Sequence, residues 1–363
     1  MLVGMIFGAG IFVLPYAFSR AGAFWGMAHF GAAFAVLMVL HLMYADVVRA
    51  TPGRHRFVGY VGRYSGRAAR GFAGLITILS YWGTLLVYGL LGGIFLNNLT
   101  FSDRPAVMTI IFFICGGILI ACTLRRVADI NLWLTLPLGF FVLYLLVALL
   151  PDVAAANFGN GFRLTAAGDW FLPYGVWLFA LSGFAVIPEV RDLLGGAPFS
   201  AFRRVVTISL VASSFLYIMF TFAVLGASGI GTTEDAIRGI VPFLGSEGLV
   251  IGSVIGFLAV FTSFAALGTD MKNIFRYDYR LPPVAAWLLT AVPPLGLFAL
   301  GATDFTRAIA VIGTLGFGVL GAFILRMHGR IRSRELRFGV ATRMLVWLGV
   351  FAGMGYELWR LVM

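Results

Sequence analysis

Apolar residues run along this chain in long blocks, and charged residues are confined to the short gaps between them. Eleven blocks reach spanning length, about 20 residues each. They run roughly 2–19, 23–48, 71–97, 106–123, 131–150, 170–190, 204–228, 246–271, 284–301, 306–326 and 341–361. The pattern predicts an all-α polytopic membrane protein of about eleven transmembrane helices. Two blocks share an interruption. Gly10-Ile11-Phe12-Val13-Leu14-Pro15 recurs, lightly edited, as Gly183-Phe184-Ala185-Val186-Ile187-Pro188. Gly lowers helix propensity, and Pro lacks an N–H and clashes with the preceding turn. Backbone left bare in lipid costs several kcal/mol per group, so such breaks survive only inside protein or beside a cavity. Paired breaks at corresponding places in two halves mark a site near the midplane.

The basic residues test the span count. With the N-terminus inside and loops assigned alternately, the inside segments 49–70, 125–126, 191–204, 272–280 and 326–343 hold 20 of the 26 Lys and Arg. The other six are Arg20, Arg104, Arg163, Arg238, Arg307 and Arg360. This asymmetry predicts an inside N-terminus and an outside C-terminus. Block 1 then runs outward and block 6 inward. Residues 1–150 (helices 1–5) and 170–326 (helices 6–10) are expected to form two five-helix repeats of opposite polarity within one transmembrane domain spanning 1–363. Helix 11, at 341–361, is appended. The separation between Gly10 and Gly183 suits units of this length.

Composition agrees: 61% of residues are hydrophobic and 11% are charged. The net charge of +11 is topological and faces anionic lipid, and no nucleic-acid motif competes with that reading. Cys115 and Cys122 lie seven apart in one apolar block and are expected on one helix face, as small apolar residues and not as a disulfide or metal pair. No cleavable leader is evident. Only seven residues precede Gly8, which implies a missing native N-terminal stretch or a misassigned start. No nucleophile–base pattern, phosphate loop or metal-spaced Cys/His set occurs, so an enzyme and a metalloprotein are not expected.

The candidate chemistry gathers at the interruptions. Gly8 and Gly10 let the backbone unwind around Ala9 and Ile11. The freed N–H groups suit a carboxylate and the freed carbonyls an amine or cation. The alternative is a glycine-lined packing face. The second copy adds Ala180, Ser182 with its hydroxyl, Gly183, and Phe184 as a cover. Thr262 and Ser263 lie one turn after the Ala259 carbonyl and could ligate a hard cation through oxygen, or simply bond back to carbonyls of their own helix. Glu189, Asp46 and Asp270 are acids at membrane depth. Arg191, Arg49 and Lys272 lie two or three residues from them, which favours local ion pairs; Glu189 is the proton-relay candidate. His41 reads as a packing residue. Tyr81, Thr84 and Tyr88 form one polar-aromatic helix face, either a pocket wall, with Tyr81 against the substrate, or helix packing.

These residues carry a resemblance. Gly8-Ala9-Gly10-Ile11-Phe12 with Leu14-Pro15-Tyr16-Ala17 resembles the first helix of amino acid permeases of the amino acid–polyamine–organocation superfamily. Phe179-Ala180-Leu181-Ser182-Gly183-Phe184 with Ile187-Pro188 looks like helix 6 of the bacterial aromatic and hydroxy amino acid (tryptophan/tyrosine) permeases. Phe261-Thr262-Ser263-Phe264, with Pro293-Pro294-Leu295, is similar to helices 8 and 9 of that group. The resemblance spans essentially the whole chain through short motifs. It implies a leucine-transporter-type 5+5 inverted-repeat fold with discontinuous helices 1 and 6. It further implies import of an amino acid, aromatic or hydroxy, by H⁺ or Na⁺ symport through alternating access in a bacterial cytoplasmic membrane. Substrate would bind at Gly8–Ile11 and Ser182–Phe184, and a cation, in sodium-coupled relatives, at Ala9, Ala259, Thr262 and Ser263. Some proton-coupled relatives carry a Lys in helix 5; here the only Lys is Lys272. No cofactor is expected beyond the coupling ion. The partners implied are the amino acid and membrane lipid. An amino-acid-sensing receptor, an exchanger or a passive channel are the other readings.

Overall fold

The computed structural model describes residues 2–122, 124–158, 169–195, 198–331 and 338–362. Arg163, Arg332, Arg334 and Arg337 of the charge argument lie outside the described residues. The described residues form helices and connecting turns, with no strand among them.

The first apolar block is two helices, α1 (Leu2–Ile6) and α2 (Gly10–Ala21). Then come α3 (Ala23–Ala50), the short α4 (Phe57–Ser65), α5 (Arg67–Thr100), α6 (Pro105–Ala121) and α7 (Leu124–Leu149). The sixth block is again divided, into α8 (Leu172–Ala180) and α9 (Ile187–Leu194). It continues through α10 (Phe199–Ser228), α11 (Val241–Asn273), α12 (Pro283–Ala299), α13 (Phe305–Val311), α14 (Phe317–His328) and α15 (Val340–Val362). Among the described residues, six stretches are long and apolar enough to cross a membrane, and three shorter apolar helices accompany them. With the broken first block and α15, every one of the eleven blocks is helical.

Burial sorts these helices. The stretch 169–194, holding α8 and α9, has 89% of its most apolar window buried, against 56% for α10 and α11. The second broken helix therefore runs through the centre of the bundle. Large side chains on α7, α12 and α15, such as Phe140, Val284 and Leu348, face outward, as lipid-facing surface requires. Two π-helical turns interrupt the ladder, at Ile274–Asp278 after α11 and at Ile312–Gly316 between α13 and α14. At the second, a Cβ on Gly313 would sit 2.0 Å from the Gly175 carbonyl of α8, so only glycine permits this approach.

The basic segments meet at one end of the bundle. A cavity of about 330 Å³ is lined jointly by Arg54, Arg56, Arg125, Asp192, Lys272 and Arg276. Arg330 donates to the Tyr64 carbonyl, which joins the segment after α14 to the same end. Arg20, from the opposite set, pairs with Asp169 at 2.8 Å.

Two sequence expectations are corrected. Pro15 does not break its helix: it lies inside α2, and the break precedes it, at Phe7–Ala9. Pro188 instead occupies the first turn of α9, where its missing N–H costs nothing. Cys122 lies just past the end of α6 and so does not share a helix face with Cys115; both are free thiols.

Candidate substrate site

The two breaks cross at the core. A Cβ on Gly10 would lie 2.4 Å from the Ala180 Cβ and 2.5 Å from its Cα, so the start of α2 rests directly on the end of α8. A Cβ on Gly183 would meet Leu2 and Ile6 of α1. Ala9, Ile11, Ala180, Ser182 and Phe184 are all buried. The crossing is thus packed shut.

Each break leaves backbone unpaired. The chain turns tightly at Gly8, whose N–H donates to the Ile6 carbonyl at 2.7 Å. The Ala9 N–H finds no acceptor among the described residues, and neither does that of Ala185 beyond the second break. Buried orphan N–H groups are rare and costly. Gly10 and Phe184 likewise donate to no acceptor among the described residues, as the first N–H groups of a helix ordinarily do, so each break presents a short run of unpaired donors.

Two side chains hold the breaks: His41, expected only to pack, and Tyr217, which the sequence reading did not single out. His41 accepts the Gly183 N–H on Nε2 at 2.9 Å, while its Nδ1 faces the Leu37 carbonyl at 2.8 Å. The first bond requires a bare Nε2 and the second a protonated Nδ1, which fixes the tautomer. The Phe184 ring lies 4.2 Å from the His41 ring, so Phe184 stacks on α3. Tyr217 of α10 donates to the Ile6 carbonyl, and the Ala180 carbonyl lies 3.3 Å from the same hydroxyl. One phenol therefore reaches the C-terminal carbonyls of both α1 and α8, and shares that of Ile6 with the Gly8 N–H. Ser213, Ser214 and Thr221 flank it on α10 as buried hydroxyls without a partner among the described residues. Their spacing at positions 213, 217 and 221 is a helical stripe in an apolar block, a signal present in the sequence.

Tyr81 and Tyr88 part company. Tyr81 donates to Asp270 Oδ2 at 3.0 Å. Tyr88 is the one at the break, since a Cβ on Gly8 would come within 3.2 Å of its hydroxyl. Thr84 bonds back to the Ser80 carbonyl. The proposed cation oxygens also divide. Thr262 donates to the Ala259 carbonyl at 2.9 Å. Ser263 reaches across to α1 instead, donating to Gly4 O at 2.9 Å with Met5 O at 3.3 Å. These neutral oxygens have the chemistry a hard cation takes; Ser263 hydrogen-bonds before the break and packs against Gly8 within it, where a Cβ would come 2.6 Å from its hydroxyl. Among the described residues no His, Cys, Asp or Glu cluster could hold a metal.

The buried acids are paired with partners that local spacing did not reveal. Glu189 Oε1 lies 2.5 Å from Arg56 Nε, and Asn273 donates to it at 3.1 Å. Arg56 also reaches Asp192 at 2.9 Å, and its Nε lies 3.7 Å from Asp270. Asp46 faces His328 at 3.3 Å and Arg203 at 3.8 Å. Arg191 and Lys272, the neighbours in sequence, donate instead to backbone carbonyls, of Val48 and Cys122 among others. Burial opposes the charge on Arg56, but Glu189, Asp270 and Asp192 together outweigh it and hold the guanidinium above its ordinary pKa. Arg56 comes from the loop after α3, Glu189 and Asp192 from α9, and Asp270 and Asn273 from α11. This knot fastens the lower half of the second broken helix to two other elements.

The comparisons with known proteins follow this geometry. The family described as "Transmembrane amino acid transporter protein" matches residues 1–267. No curated protein matches the chain in sequence. Among solved structures, Mhp1, a nucleobase-cation-symport-1 family transporter in a closed conformation with bromovinylhydantoin bound, superposes with a TM-score of 0.66 at 16% identity. The match covers 99% of this chain and 90% of Mhp1. MhsT in complex with L-phenylalanine gives 0.71 at 13% identity, covering 98% of this chain and 95% of MhsT. The fold is the leucine-transporter type, with discontinuous first and sixth helices. With that fold and a family match over most of its length, the chain belongs to the transmembrane amino acid transporter family.

Proposed function

We propose that this secondary transporter imports an amino acid across a cytoplasmic membrane, driven by a cation gradient, with the substrate carboxylate held at the crossing of the two broken helices. The observation that carries the reading is the run of N–H groups without acceptors at each buried break, Ala9 and Gly10 at the first and Phe184 and Ala185 at the second. A carboxylate at the crossing would give such donors an acceptor. The Tyr88–Phe179, Phe179–Phe317 and Phe184–Phe317 ring contacts, at 6.1 to 6.5 Å, put aromatic surface beside the breaks. That favours an aromatic side chain on the substrate, and MhsT, with L-phenylalanine bound, shares the fold.

The coupling ion is Na⁺ or H⁺. The oxygens of Ala259, Thr262 and Ser263 beside the first break favour Na⁺. Glu189 is tied to Arg56, which favours its service as a clamp over its service as a proton relay. In this cycle the repeats 1–150 and 170–326 supply the moving pair, α1–α2 with α8–α9. Opening toward the Arg-rich end, taken as cytoplasmic, requires the Arg56 knot to part. The test is uptake of a radiolabelled amino acid panel into proteoliposomes under separate Na⁺ and pH gradients. Concentrative uptake under one gradient is expected and names the ion. Ligand binding with no accumulation under either gradient would instead favour a receptor or exchanger.

A further inference from the structure

At the Arg-rich end, beside the Arg56 knot, lies a cavity of about 560 Å³ between α4, the start of α5 and the π-turn after α11. Arg63, Arg67, Arg70 and Arg280 line it, with His55. Among the described residues, none of Arg63, Arg67 and Arg280 pairs with a carboxylate. Arg70 is fixed in place by donating to the Asp278 carbonyl and lies 5.7 Å over the Tyr279 ring. The one carboxylate in the lining, Asp278, is already engaged by backbone: it accepts the Arg56 N–H at 3.1 Å and the Gly59 N–H at 2.8 Å. Four guanidinium groups therefore face a concave space with one acid, and that acid's oxygens are occupied.

Arg63, Arg67 and Arg280 are exposed and Arg70 is half-buried, yet all four border one cavity instead of spreading apart, and one does so from a strained backbone. Arg280 adopts φ +59°, one of three non-glycine residues in the left-handed region among the described residues. A side chain there is strained relative to glycine, and strain of this kind collects at functional positions. The turn is held by Leu281 N–H donating to Phe275 O at 2.9 Å and Tyr279 N–H to Ile274 O at 3.2 Å. It delivers the Arg280 side chain to the cavity from one wall, while Arg63 and Arg67, four residues apart, come from the other.

We propose that this cavity is a binding site for a phosphoryl anion. Planar guanidinium groups bind phosphate oxygens bidentately, and several of them around one cavity match a doubly charged phosphomonoester better than a single carboxylate. The same chemistry is presented by a phosphatidic acid headgroup and by free phosphate, and basic pockets at a cytoplasmic membrane face take such headgroups.

Two probes separate the sources. The full chain in phosphatidylcholine nanodiscs is titrated with inorganic phosphate, and in parallel it is placed in nanodiscs with part of the phosphatidylcholine replaced by phosphatidic acid. At least one probe is expected to raise the unfolding midpoint by about 2–4 °C near saturation. R63Q/R67Q should weaken the response about tenfold or more. R280G should lose it while unfolding no earlier than the parent without ligand, because glycine relieves the strained backbone. R204Q/R326Q, which removes equal charge elsewhere on this end, should respond as the parent does. A response to phosphatidic acid alone assigns the site to lipid, and a response to inorganic phosphate assigns it to a free anion. No shift with either probe, or equal loss in R204Q/R326Q, overturns the proposal.

Discussion

The two interruptions share Gly, Val and Pro at matching positions of six apolar residues and fold differently. In the first, the helix restarts at the glycine, and Gly10 through Pro15 are all helical. In the second, Gly183 is outside any helix, residues 184–186 make a single 3-10 turn, and the α-helix resumes only at Ile187. The difference lies in what each glycine meets. His41 takes the Gly183 N–H and stacks on Phe184, which holds the second motif open. Gly10 has only the flat surface of Ala180 against it, and nothing competes with helix formation. The flanking half-helices differ too. α1 is held through neutral groups, Ser263 and Tyr217, and α9 through the charges of Arg56, Glu189 and Asp192. A local motif thus sets where a helix can break, and its neighbours decide whether it does and how firmly each half is tied.

Substitutions at the two glycines should separate the breaks most sharply. Gly10→Ala puts a methyl into Ala180 backbone and side chain and should abolish uptake in proteoliposomes. Gly183→Ala meets only side chains, Leu2 Cδ1 at 2.7 Å, Ile6 Cγ1 at 3.0 Å and His41 Nε2 at 3.2 Å, which can shift where backbone cannot, and should retain a measurable fraction. Equal loss in both would mean that the crossing is symmetric after all. Next in size is the ionic tie on α9. Arg56→Ala leaves Glu189 and Asp270 buried without their counter-charge and should lower stability by about 3–5 kcal/mol, read by denaturant unfolding in detergent. Adding Glu189→Gln to that variant should recover part of the loss.

The cap on the second break should matter more than the neutral tie on the first. His41→Ala orphans the Gly183 N–H at a cost of about 1–3 kcal/mol, whereas Ser263→Ala removes one neutral hydrogen bond worth about 0.5–1.5 kcal/mol. If the Ser263 variant melted earlier, the ranking of the two ties would be wrong. The smallest effects are expected at the prolines. Pro15→Ala should leave folding and transport near the parent level, because the helix already runs through residue 15. Pro188→Ala should cost less than about 1 kcal/mol, because a first-turn proline supplies only preorganised φ. Loss of transport in the Pro15 variant would restore a role for that proline in the break.

Much of the architecture was legible because membrane helices satisfy their own backbone. Eleven apolar blocks of the right length had to be helices, and the placement of Arg residues predicted which ends would meet. The interruptions at Gly8–Gly10 and at Ser182–Gly183 could be found because glycine and proline act on local backbone. Tyr217 and the hydroxyl stripe on α10 left a spacing signal that was passed over. Arg56 left none: a single arginine in a basic loop gives no hint that it is buried against acids more than a hundred residues away in the chain.

By itself the sequence determined the class of protein, the number of spans, the position of both breaks and the clustering of positive charge at one end, since these follow from hydropathy, local backbone propensity and charge placement. Tertiary structure alone decided that Gly10 rests on Ala180, that His41 holds the second break open, that Tyr217 serves both breaks, that Glu189 pairs with Arg56 and not Arg191, and that four arginines enclose one cavity. Each of these is a contact between distant segments, and its energy depends on burial and geometry that appear only once the helices have packed.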